Sequence, residues 1–189
     1  MPRNRIALFV KSTLIACIAC LLAIGAQAAE ITGAFGYKFG ESLAEKDILT
    51  RRPGMGPHDI IPKKKAGTVK TVHAYISPKT NSIVALDGIN SFPTMAQCTE
   101  MVTMITFFLG KKYADSVNTK ESIGDGVERV GVKFSDTQKG KVVMVSCTDS
   151  ATEAVLSVRY GDVALTEQAL KDWKKLESRS TVPEKGLSL

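Results

Sequence analysis

Cys98 and Cys147 constrain this chain more than any other feature, because one lies on a helical stripe and the other on an alternating strand. The helix is read from "TMAQCTEMVTMITFFLGKKY", which opens at Thr94 directly after Pro93. Thr94 and Gln97 have the Thr-x-x-Gln spacing of a capping box, in which each side chain satisfies a backbone donor of the first turn. Cys98, Met101, Val102, Ile105, Phe108 and Leu109 recur at spacings of three and four, which places them on one inward face. The strand is read from "KVVMVSCT", where Val143, Val145 and Cys147 share a side. A helix stripe and a sheet face that both carry an inward cysteine are complementary, so a disulfide between them staples the helix onto the sheet.

That pairing depends on compartment. Residues 1–28 carry Arg3, Arg5 and Lys11 ahead of an apolar run from Leu14 to Ala26, then Ala26-Gln27-Ala28. This is the pattern of a secretory signal peptide with an A-x-A cleavage site after Ala28. The apolar run is shorter than the roughly 20 residues a helix needs to cross a bilayer, so no transmembrane span is expected after cleavage. Cys17 and Cys20 leave with the leader, and an even pair in an oxidising compartment reads as a bridge. The expected location is periplasmic or secreted.

Elsewhere the patterns are those of strands. "GAFGYKFG" alternates Phe35, Tyr37 and Phe39 with small or polar residues and predicts a first strand with one aromatic face. "ESLAEKDIL" predicts two helical turns with Leu43 and Ile48 or Leu49 inward. "TVKTVHAYIS" and "SIVALDGINSF" flank the turn "SPKTN" and predict a hairpin. Val130, Val132 and Phe134, then the "KVVMVSCT" strand, then Ala154, Leu156, Val158 and Tyr160 predict a three-stranded antiparallel meander. Leu165, Ala169, Trp173 and Leu176 repeat at helical spacing and predict a final helix. The expected architecture is α+β: an antiparallel sheet of about five or six strands, two main helices packed on one face, and one disulfide. Residues 29–178 form a single domain, and 179–189 a flexible tail.

Familiar catalytic motifs are absent from the sequence. It holds no G-x-S-x-G pentapeptide, no G-x-x-x-x-G-K-[ST] loop and no H-E-x-x-H, and its two histidines, His58 and His73, are far apart in sequence. No metal or cofactor is expected. Charge is more informative. Without the three cations of the leader, 22 basic residues face 19 acidic ones, a net of +3. Residues 51–70, which begin "RRPGMGPHDIIPKKK", hold six cations against Asp59 alone, so this stretch carries +5 and the rest of the mature chain −2. The candidate binding residues are Arg51, Arg52, His58, Lys63, Lys64 and Lys65. Such a field attracts an acidic protein patch or an anionic envelope component, and the same stretch also reads as an ordinary solvated loop. Nucleic acid is not an expected partner, because the aromatics are not interleaved with the cations. The reading is an exported, non-enzymatic binding or accessory protein, an inhibitor being one form of it. The alternatives are an enzyme of unfamiliar type using His58 beside a carboxylate such as Asp59, and a structural subunit of an envelope assembly.

Overall fold

Alternating apolar residues dominate the chain after Glu128, and in the computed structural model they pair with their sequence neighbours. It describes residues 29–65, 67–113, 115–122, 127–136 and 139–180; residues 1–28, the expected signal peptide, and residues 181–189 lie outside them. Strands β1 (Gly33–Ala34) and β2 (Tyr37–Lys38) form a small hairpin. A single 3₁₀ turn (Glu45–Asp47) leads into β3 (Ile48–Thr50), β4 (His58–Ile60), β5 (Thr71–Ile76) and β6 (Ile83–Phe92). Helix α1 (Met95–Gly110) precedes β7 (Ser116–Ser122), β8 (Glu128–Asp136), β9 (Lys141–Asp149) and β10 (Ala154–Asp162), and α2 (Val163–Ser180) follows.

The main sheet is antiparallel and has eight strands in the order β3-β4-β5-β6-β10-β9-β8-β7. It consists of two four-stranded meanders joined where β6 pairs with β10. The chain leaves the first meander at its inner strand β6, crosses the second meander as α1, and enters it at the far edge as β7. That crossover explains why α1 packs on β8, β9 and β10.

The sheet is larger than the five or six strands expected, for two reasons. β7 reads "SVNTKES" and is almost wholly exposed, so it has none of the apolar alternation that marks a half-buried strand. β3 and β4 are three residues each and lie in or beside the proline- and glycine-rich basic stretch. The expected helix over 41–49 is only the 3₁₀ turn; Leu43 is buried, and Leu49 points to solvent.

One sheet face holds the main core. Val145, Cys147, Leu156 and Val158 pack against Cys98 and Val102 of α1. Over the first meander, Val72, Ala74, Ile76 and Leu86 are covered instead by the N-terminal segment through Tyr37 and Leu43. The aromatic opening is therefore not one strand. Phe35 (φ 53°) and Gly36 (φ 87°) both adopt positive φ, the requirement of a type I′ hairpin turn, and a Cβ on Gly36 would come within 2.6 Å of Lys63 Cβ. Tyr37 is thereby folded inward and its hydroxyl donates to the Ile61 carbonyl at 2.6 Å.

Helix α1 starts as its sequence dictates, with Thr94 Oγ1 accepting from the Gln97 N–H at 3.3 Å. Cys98 and Cys147 are bonded, their Cα atoms 5.9 Å apart. Phe108 departs from the expected stripe: at 3.6 residues per turn it lies roughly 80° from the direction of Cys98. It is 61 % exposed beside Phe107, over which Lys111 Nζ sits at 4.2 Å.

The two helices do not share a face. Helix α2 lines a cavity with Tyr75, Met144 and Arg159, whose neighbours Ala74, Val145 and Val158 point to the α1 side. The reason is occupancy: the N-terminal segment already covers the sheet beside α1. No loop separates β10 from α2, and the strand's last residue caps the helix, Asp162 Oδ1 accepting from the Leu165 N–H at 3.0 Å. The helix runs to Ser180, into the start of the expected tail.

Candidate ligand-binding cavity

Strand alternation places every second residue of the sheet on the α2 side. Antiparallel register aligns Asp59, His73, Asp87, Arg159, Met144 and Lys133 in one row across β4, β5, β6, β10, β9 and β8. The centre of the row straddles the seam between the meanders. Asp87 is 2 % exposed, and a carboxylate so buried is tolerated only when paired and hydrogen-bonded. Arg159 reaches its Oδ2 through Nη2 at 2.7 Å and Nε at 3.1 Å, and the Ser157 hydroxyl donates to Oδ1 at 2.7 Å. Burial alone pulls the Arg159 guanidinium down, but the charge and hydrogen bonds of Asp87 more than restore it, so the group stays protonated. Arg159 Nη2 also donates to Tyr75 Oη at 3.1 Å and the guanidinium lies 5.2 Å from the Tyr75 ring centre.

Above this row α2 and the segment 53–56 border a partly open cavity of about 720 Å³. Its floor is Tyr75, Ala85, Val142, Met144 and Arg159; its walls include Thr166, Leu170 and Trp173 of α2 and Pro53, Gly54 and Met55 of the loop. The Met55 carbonyl accepts from the Ile76 N–H at 2.9 Å, which pins the loop to the sheet. Gly54 has φ +74°, and a Cβ there would meet the Trp173 ring at 3.1 Å, so conformation and contact both require glycine. Trp173 is the chain's single tryptophan.

The sequence-derived candidate residues do not converge on one site. Arg51 pairs with Glu45, and Arg52 Nη2 lies 3.5 Å from Asp59 Oδ2. Lys63 Nζ bonds Glu41 at 3.1 Å and sits over the Tyr37 ring at 4.2 Å. Lys64 and Lys65 are exposed beyond it, and the Lys64 N–H is held by the Phe35 carbonyl at 2.9 Å. Because β4 intervenes, the continuous basic run becomes two clusters at opposite ends of that strand. The arginine end borders the cavity, and the lysine end borders the β1/β2 hairpin.

His58 points the other way from Asp59. It is buried on the core side at the level of Ala74, whereas Asp59 meets His73, whose Nε2 is 3.0 Å from Asp59 Oδ1. The Nδ1 of His58 accepts from the Arg52 N–H at 3.1 Å, which leaves the proton of the neutral ring on Nε2; that atom has no partner among the described residues. Burial, assisted by the nearby charge of Arg51, lowers the His58 pKa below its ordinary 6.5. The unfolded chain therefore binds a proton more readily than the folded one. Stability is full above pH 6.5 and falls as pH drops through the folded value, by up to about 1.4 kcal/mol per pH unit. Thermal midpoints measured from pH 7.5 downward should fall less steeply in His58→Gln than in the parent. Equal slopes would remove His58 as the source.

Sequence reasoning missed the cavity and the row beneath it. The only local hints were isolated charges, Asp87 and Arg159, inside otherwise strand-like runs. Among the described residues, no three of His, Cys, Asp or Glu converge in a way that could hold a metal ion, and no helix is long and apolar enough to cross a membrane. The chain matches no protein-family model, and no curated protein matches it in sequence.

Proposed function

We propose that this chain is an exported, non-enzymatic binding protein whose site is the cavity between α2 and the sheet. The observation that carries the reading is the cavity itself. Its volume of about 720 Å³ lies within the roughly 300–1,000 Å³ of small-molecule sites, and such sites are mostly apolar with a few placed polar groups. Pro53, Met55, Val142, Met144, Leu170 and Trp173 supply the apolar surface, and Arg159, Tyr75, Lys133 and Glu121 are among its polar groups. Export is supported by the leader pattern of residues 1–28 and by the disulfide, a bond that persists in oxidising compartments.

Trp173 allows a direct test. Titrating the purified protein with phenylnaphthylamine, a neutral apolar fluorophore, should give saturable energy transfer from Trp173 with one site per chain. Thr166→Phe, which fills the helix side of the cavity, should abolish it. Transfer that does not saturate, or that survives Thr166→Phe unchanged in a folded protein, would sink the proposal.

A further inference from the structure

The cavity floor carries two hydrogen-bond donors that the protein leaves unused. Arg159 directs Nε and Nη2 at Asp87 and Tyr75, and its Nη1 has no acceptor among the described residues. Tyr75 Oη accepts from Arg159, so its own proton remains to be given. Burial raises the Tyr75 phenol above its ordinary 10, with Arg159 opposing and Asp87 adding to the effect, so the proton is in place at neutral pH. Both residues line the cavity.

The cavity lining carries charges of both signs around these donors. Asp87 holds the guanidinium in one orientation from beneath the floor, on the far side from Nη1. Lys133 stands on the same row, one strand beyond Met144, and has no ion pair among the described residues. The acidic lining residues are engaged or peripheral: Glu121 Oε2 faces Arg129 at 3.8 Å, Asp162 caps α2, and Glu167 is exposed on the helix.

Building on the cavity as a ligand site, we infer that it takes a molecule with an apolar body and a terminal carboxylate, received by Arg159 Nη1 and the Tyr75 hydroxyl with Lys133 alongside. Arg159 Nη1 can give one hydrogen bond and the Tyr75 hydroxyl a second, one to each oxygen of a carboxylate, and hydrogen bonds to an ionised acceptor are the stronger class. The apolar body lies along Met144, Val142 and Leu170, towards Trp173.

The test is displacement of phenylnaphthylamine from the unmodified protein by dodecanoate, methyl dodecanoate and dodecylamine, each kept below micelle formation. Dodecanoate should displace it at about a tenfold lower concentration than the ester or the amine, the size expected for a charge-assisted hydrogen bond. Tyr75→Phe, which keeps the ring over Arg159, should raise the dodecanoate concentration several-fold and narrow its margin over dodecylamine. Lys133→Gln should weaken dodecanoate and flatten its salt dependence. Equal displacement by all three compounds, or a dodecanoate preference untouched by Tyr75→Phe, overturns the carboxylate inference while the cavity remains a binding site. Failure of phenylnaphthylamine itself to bind removes both.

Discussion

Replacing Cys98 and Cys147 together by Ala should lower the midpoint of thermal unfolding by about 8–16 °C. The bond closes a sequence separation of 49 residues, for which chain entropy predicts about 4 kcal/mol of stabilisation. In a domain of this size each kcal/mol moves the midpoint by roughly 2–4 °C. Position adds to loop length. Cys98 sits in the first turn of α1, just after the chain leaves β6, and Cys147 is on β9 in the second meander. The bond thus fastens the crossover to the strands it must cover, and both residues are fully buried in the α1 core. Calorimetry of the oxidised parent and the double alanine variant measures the difference. A fall of less than about 2 °C would mean that packing of Val102, Leu156 and Val158 holds α1 without the bridge.

Arg159→Met should cost about 3–5 kcal/mol in urea unfolding, the range seen when one partner of a buried ion pair is removed. Asp87→Asn should cost clearly less. The asymmetry follows from exposure: Asp87 is 2 % exposed and without Arg159 retains only the Ser157 hydroxyl. Arg159 is 41 % exposed and reaches water through the cavity when its partner is neutral. The pair also bridges the β6/β10 seam, where the two meanders join, so its loss loosens the sheet at its midline. Combining Arg159→Met with Asp87→Leu should recover most of the loss, since no unpaired charge then remains buried. An Asp87→Asn cost equal to or above that of Arg159→Met would refute this account.

The cavity and its floor were hidden in the sequence for a definite reason. Asp87 and Arg159 are 72 residues apart, and nothing local to "ALDGIN" or "SVRYGD" says that those strands are neighbours. The Thr94 cap, the Cys98 stripe, the hairpin over 71–92 and the meander over 128–162 are legible because each is set by chain geometry within a few residues. "SVNTKES" is a strand without a strand's pattern, since as an edge it pairs with β8 alone and buries almost nothing. Residues 51–65 misled in the opposite sense. Their clustered charge suggested one surface, yet the three residues of β4 pair with β5, turn His58 into the core and separate the arginines from the lysines.

What the sequence by itself determined is the local grammar: where α1 begins, which residues of β5, β6, β8, β9 and β10 share a side, and that the two cysteines after residue 28 face one another across a helix and a sheet. The tertiary structure alone decided that β6 adjoins β10, that the N-terminal segment occupies the place beside α1, and that α2 is therefore left to the opposite face. Side-chain period is imposed by covalent geometry residue by residue. Strand order and the side a helix takes are imposed by which apolar surfaces remain uncovered once the rest of the chain is in place. The cavity over Arg159 and Tyr75 is a product of that second kind of choice.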